Sequence, residues 1–210
     1  MDADRRGAEL MDELLAGRES ALAEIIELWQ GPLLRFVYRY AQVEADARDL
    51  VQETFVRLYA QRGRFRPGAV FSAWIFTIAA NLCHNQARWK KRHPAESLDA
   101  RSEVARQPSF AGPQPSPDQA LLKAERVQAV RAAIDGLPHD LKVTLLLYEY
   151  EDLGYREIAT VVGCSEKGVE ARLARARGRL RTALAGFLGD GPPTGEPVVP
   201  SALGLATADE

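Results

Sequence analysis

Apolar residues recur along this chain at the spacing of helices, and nowhere with the alternation of strands flanked by hairpin turns. Leu22, Ile25, Ile26 and Trp29 make one stripe. Gly31-Pro32 predicts a break, after which Leu33, Leu34, Val37 and Tyr40 make a second stripe. Ala47, Leu50, Val51, Thr54 and Leu58 predict a third helix. Phe71, Trp74, Ile75, Ile78, Ala79 and Leu82 predict a fourth, which runs into the basic sequence RWKKRH at 88–93. Ser116-Pro117-Asp118 is a helix-start signal, followed by Ala120, Ala124, Val127, Val130 and Ile134 at helical spacing and by Gly136 as a stop. Pro138 predicts a new helix with Leu141, Leu145 and Tyr148 inward. Tyr155, Ile158, Ala159 and Val162 then mark one face of a short helix; Gly163 breaks it and Ser165 can cap the next. In that last helix Val169, Leu173, Ala176 and Leu180 form the apolar stripe.

The expected fold class is all-α, with two small helical domains on a flexible linker. The first is expected over residues 8–93. Residues 94–117 carry Pro94, Pro108, Pro113, Pro115, Pro117 and four serines without apolar periodicity, the composition of a linker. The second domain is expected over 118–187. The Gly/Pro-rich stretch 188–210 is expected to be a disordered tail.

Charge changes this picture from architecture to chemistry. The chain is formally −2, yet between Ser165 and Arg181 six lysines and arginines stand against Glu166 and Glu170, a local excess of four positive charges. Arg172, Arg175 and Arg179 share one helical face, with Arg177 and Arg181 beside them. A basic second helix after a tight turn is what a major-groove reader needs. In the fourth helix Asn81, Asn85, Arg88 and Arg92 recur on a face away from the apolar stripe, close to Trp89, Lys90 and Lys91. Amides read base edges, guanidinium groups hold phosphates, and aromatic rings stack on unpaired bases. In the third helix Asp49, Glu53 and Arg57 lie opposite the apolar stripe, which fits either a solvated face or a docking surface for a basic partner.

Other chemistries find no support. No run of about 18 apolar residues predicts a membrane span, and the start MDADRRGAEL has no apolar core of a secretory signal. Cys83 and Cys164 form no CxxC pair and no metal spacing with His84, His93 and His139. They read as small core thiols, so no metal and no cofactor is expected. No glycine-rich phosphate loop and no Ser/His/Asp arrangement points to an enzyme.

Three segments, DARDLVQETFVRLY (46–59), FSAWIFTIAANLCHNQARWKKR (71–92) and LPHDLKVTLLLYEYEDLGYREIATVVGCSEKGVEARLARARGRLR (137–181), resemble the signature segments of the extracytoplasmic-function sigma factors, the small two-domain branch of the bacterial sigma-70 family. The resemblance implies a transcription initiation factor in the cytoplasm. Asp46, Asp49, Leu50, Gln52 and Glu53 would dock on the clamp helices of the largest subunit of core RNA polymerase. Trp74, Asn81, Asn85, Arg88, Lys90 and Lys91 would recognise and help melt the minus-ten element. Ser165, Lys167, Arg172, Arg175, Arg177 and Arg179 would bind the minus-thirty-five element as duplex. Leu137-Pro138 and the next helix would face the polymerase flap. It also implies an anti-sigma partner, a stress or envelope response, and no membrane insertion. The chain departs from the family pattern at Gly168, Glu170, Ala80 and His84. The alternative is a one-component regulator that binds operator DNA as a dimer through the same C-terminal helices.

Overall fold

The computed structural model describes residues 2–93 and 117–188, and among these residues the secondary structure is helical, with no strand. The expected linker before Pro117 and the expected tail after Leu188 lie outside the described residues. The helices are α1 (Asp2–Leu15), α2 (Ala21–Ala41), α3 (Glu44–Ala60), α4 (Phe71–Arg92), α5 (Pro117–Asp135), α6 (His139–Tyr150), α7 (Tyr155–Val162), α8 (Glu166–Ala183) and α9 (Ala185–Leu188), with a short 3₁₀ turn at Arg62–Arg64. They fall into two compact units, one holding residues 2–93 and 138–176, the other 117–137 and 177–188. α6, α7 and the first part of α8 belong with the N-terminal helices because α6 packs on α2 and α7 packs along α4.

The first unit is built around α4. Phe71, Phe76, Phe36, Ile25, Leu33 and Ile75 are almost fully buried, and Trp29 nearly so. Trp29 meets Phe71 at 5.2 Å and Phe76 at 6.2 Å between ring centroids, and Phe36 meets Phe76 edge-on at 5.3 Å. Tilted and edge-to-face pairs of this kind add to the burial of large rings.

Two expectations change here. The break predicted at Gly31-Pro32 does not occur, since α2 runs from Ala21 to Ala41 with Pro32 inside it. An internal proline costs roughly 3 kcal/mol in a free helix. Here Trp29 before it and Leu33, Phe36, Val37 and Tyr40 after it are all buried on the same helix. At about 1.5–3 kcal/mol for each large buried side chain, that burial outweighs the proline. The second change is at the N-terminus. α1 begins at Asp2 rather than near residue 8, and buries Leu10, Met11 and Leu14. Asp4 Oδ1 accepts the backbone N–H of Ser72 at 2.6 Å, so α1 satisfies a donor at the start of α4. Arg18 and Arg6 hold the Glu24 carboxylate below its usual range and lace α1 and its turn to α2.

α6 also differs from a one-sided amphipathic helix. Leu141 to Leu147 are buried without interruption, Lys142 and Thr144 included, while Tyr148 is only half-buried. The turn that follows behaves as its residues predict. Gly163 takes a left-handed conformation (φ 61°) and ends α7, and Ser165 Oγ accepts the Gly168 N–H at 3.2 Å. Val169, Leu173 and Ala176 are buried; Leu180 is half-buried.

In the second unit, Pro117 opens α5 and Gly136 follows its end. Ile134 and Leu137 are buried, whereas Phe187 of α9 is half-exposed.

α1 reaches its place through Gly7. A Cβ there would stand 2.6 Å from Phe71 Cδ1 and 2.9 Å from Trp29 Nε1. Alanine in a helix interior normally gains about 1 kcal/mol over glycine. Because Phe71 has no room to move, Gly7→Ala is expected to destabilise instead, by about 1–3 kcal/mol in urea unfolding. A stabilised variant would show that α1 is not seated on this ring.

Candidate nucleic-acid and protein interfaces

The aromatic anchor sets the rotation of α4 and therefore what its outer face presents. Asn81, Asn85, Arg88 and Lys91 are exposed on the turns beyond the buried residues Ile78, Ala79, Leu82 and Cys83. Trp89 is 41% exposed and stacks on His93 at 4.9 Å. Trp74 is half-buried, with Phe65 at 5.2 Å and Phe71 at 6.2 Å, so it offers an edge rather than a free ring. Lys90 is held in an ion pair with Asp46 of α3, which ties the two helices together at this end.

That pair joins a residue expected at the polymerase surface to one expected at DNA. A second such junction lies beside it. Leu50 of α3, Leu82, Asn85, Gln86, Arg88, Trp89 and Arg92 line a hollow of about 450 Å³. Leu50 is buried and forms part of its wall, not an outward contact. The outer face of α3 is made by Asp49 and Gln52, both exposed, and by Glu53, which pairs with Arg57 at 2.7 Å. Val56 on the same helix is 57% exposed, an apolar spot beside the acidic ones.

On α8 the basic residues divide. Ser165, Lys167, Arg175 and Arg179 are exposed. Arg175 donates to its own helix, to the Ala171 carbonyl at 3.2 Å. Arg177 is half-buried. Arg172 is 18% exposed and is turned inward: Nη1 donates to the Val162 carbonyl at 3.2 Å, and Nη2 lies 3.5 Å from Asp140 of α6. It therefore braces the end of α7 rather than standing on the same free face as Arg175 and Arg179.

Three features were not read from the sequence. Arg156 and Thr160 of α7 share a hollow of about 540 Å³ with Ser165 and Lys167. An exposed arginine in the first helix of a helix-turn-helix was the available signal. Gly168 sits against Cys164, where a Cβ would come within 3.1 Å of Sγ, so a glycine is coupled to that thiol. The two other departures, Ala80 and His84, are turned inward. Ala80 is buried, and the His84 ring lies 4.3 Å from that of His139, which is itself half-buried rather than a surface group.

Residues 25–93 match the sigma-70 region 2 family and residues 127–180 match sigma-70 region 4. The RNA polymerase sigma-H factor of Pseudomonas aeruginosa is 32% identical over 185 residues, covering 86% of this chain and 94% of that protein. The ECF RNA polymerase sigma-E factor of Escherichia coli K12 is 29% identical over 170 residues, covering 80% and 88%. The chain belongs to the extracytoplasmic-function branch of the sigma-70 family. Sigma factors are initiation factors and not enzymes. Two solved relatives have similar folds: RpoE of Bartonella quintana in complex with the anti-sigma factor NepR (TM-score 0.59, 26% identity, 78% of this chain and 96% of that one), and CnrH in complex with the cytosolic domain of CnrY (TM-score 0.62, 25% identity, 88% and 99%). Among the described residues no helix is long and apolar enough to cross a membrane.

The split among the arginines of this sigma factor is measurable. Arg172→Ala removes two internal contacts and is expected to lower stability by about 1 kcal/mol. Arg175→Ala, on the open face, is expected to stay within about 0.5 kcal/mol of the parent. Thermal and urea unfolding of the two variants check this, and equal losses would contradict it.

Proposed function

We infer that this sigma factor delivers core RNA polymerase to a two-part promoter, each part read by one exposed helical face. The outer face of α3, with Asp49, Gln52 and Glu53 at its centre and Asp46 and Leu50 at its edge, docks on the clamp helices of the polymerase largest subunit. Leu137-Pro138 and α6 face the flap. Asn81, Asn85, Arg88 and Lys91, with Trp74 and Lys90 supporting the same helix, take the minus-ten element as it opens. Ser165, Lys167, Arg175, Arg177 and Arg179 hold the minus-thirty-five duplex, Arg172 bracing the helix on which they stand. The single observation that carries the reading is the presence of both matched segments, at 25–93 and at 127–180, in one chain.

The physical logic is coupled binding. Unstacking a base costs a few kcal/mol, which an amide- and arginine-bearing face with an exposed tryptophan can offset. A protein of formal charge −2 has weak affinity for the bulk of the genome, so polymerase supplies the remaining contacts. The solved relative RpoE is bound to the anti-sigma factor NepR, and CnrH to the cytosolic domain of CnrY. By the same reading this chain works in the cytoplasm, under an anti-sigma protein, in a stress or envelope response. The match to region 2 argues against a one-component regulator, whose N-terminal half would be a ligand-sensing domain.

Asp49→Arg together with Glu53→Arg is expected to abolish co-purification with core polymerase while leaving duplex binding by α8 unchanged. Normal co-purification would sink the assignment of α3. Replacing Arg175 and Arg179 with alanine is expected to reduce the dependence of duplex affinity on salt by about two in the logarithmic slope. An unchanged slope would remove these arginines from the phosphate contacts.

A further inference from the structure

Charge is sorted along the C-terminal part of the chain. Residues 171–188 contain Arg172, Arg175, Arg177, Arg179 and Arg181 and no aspartate or glutamate. Residues 189–210 contain Asp190, Glu196, Asp209 and Glu210 and no lysine or arginine. Elsewhere arginines are matched to carboxylates: Arg6 and Arg18 to Glu24, Arg39 to Glu151, Arg48 to Glu44 and Arg57 to Glu53. On α8, Arg172 is matched by Asp140 of α6. Arg175, Arg179 and Arg181 are exposed, and among the described residues none of these three is matched to a carboxylate. A basic residue in the last turn suits the helix dipole, but that favours a charge at the end and not a run. Arg175 and Arg179 stand one turn apart, where like charges repel. The helix thus presents a positive face without its counter-charge, and the next acids in the chain follow just after Leu188.

We propose that residues 189–210 turn back along α8 and lay their carboxylates against Arg175, Arg179 and Arg181, forming a screen that duplex DNA must displace. The seat of the tail on α8 rests on the charge pattern; its effect on DNA rests on the reading of α8 given above. The reach is sufficient. Arg179 and Arg175 precede Leu188 by nine and thirteen residues, roughly 14 and 20 Å back along a helix. The 22 residues from Gly189 to Glu210, Gly/Pro-rich in composition, span about 25 Å on average, and Glu196 alone reaches about 16 Å from Leu188.

The physics makes the screen partial and reversible. Because it is carried on the same chain, the tail meets the helix at an effective concentration in about the millimolar range. Each exposed ion pair is weak, and at about 0.1 M salt the attraction extends only about 10 Å. Duplex DNA carries its charges more densely than the four acids of the tail, so it wins the arginines when it is close. The screen acts on charge and not on base edges, and therefore lowers affinity for every duplex by a common factor.

The test compares the full-length free protein with a variant carrying Asp190→Asn, Glu196→Gln, Asp209→Asn and Glu210→Gln. The Nε–H resonances of Arg175, Arg179 and Arg181 report on the seat without any DNA. They are expected to differ between parent and variant at about 0.05 M salt and to converge towards about 0.5 M. At the lower salt the variant is expected to bind promoter and random duplexes alike about three- to tenfold more tightly than the parent, with the gain shrinking as salt rises. Truncation after Leu188 is expected to match the variant; a truncated protein with the parent's affinity overturns the screen. Identical resonances in parent and variant at low salt overturn the seat. Different resonances with equal duplex affinities overturn the screen, and so does a gain confined to one duplex sequence. Different resonances with no duplex binding by any form leave the seat standing and overturn the reading of α8 instead.

Discussion

The rotation of α4 about its own axis is the constraint on which the rest depends. Phe71 and Phe76 are locked among Trp29, Phe36 and Phe65, and the residues that follow on the same side, Ile78, Ala79, Leu82 and Cys83, are buried as well. A helix fixed by rings in its first two turns cannot roll, so Asn81, Asn85 and Arg88 must face outward. The same lock aims Lys90 at Asp46 and brings Leu50 to the hollow beside Trp89. The surfaces assigned to polymerase and to opening DNA are therefore walls of one structure. A disturbance at α3 reaches the α4 face through two contacts, an ion pair and an apolar floor.

The second half of the protein is held by different physics. The turn between α7 and α8 is built from local devices: a left-handed glycine at 163, the Ser165 cap, and an arginine, Arg172, that satisfies the last carbonyl of α7. Gly168 is part of the same local packing, since the Cys164 side chain occupies the space where its own would be. The helix assigned to duplex DNA is thus held on α7 by its own loop and by Arg172.

Much of this was legible in the sequence. The buried stripe of α3 emerged with every residue expected, Ala47, Leu50, Val51, Thr54 and Leu58, because periodicity reports one-sided burial directly. Gly163 and Ser165 were legible because their roles are local. What was not legible came from long-range packing. Pro32 is tolerated because buried residues on both sides of it outweigh the lost hydrogen bond. α1 was missed because its buried set, Leu10, Met11 and Leu14, is short and stands in a charged segment. Burial of Lys142 and Glu151, and the inward turn of Arg172, depend on which helix lies opposite, and spacing carries no information about that.

The central claim is that this chain gives core RNA polymerase its choice of promoter through two spaced elements. The most direct measurement is transcription in vitro from genomic DNA by core polymerase with and without the protein, with every start site mapped. The claim predicts new start sites that appear only with the protein and share two short elements at a fixed spacing upstream. Unchanged start sites, together with tight dimeric binding of the protein alone to a palindromic duplex, would contradict it.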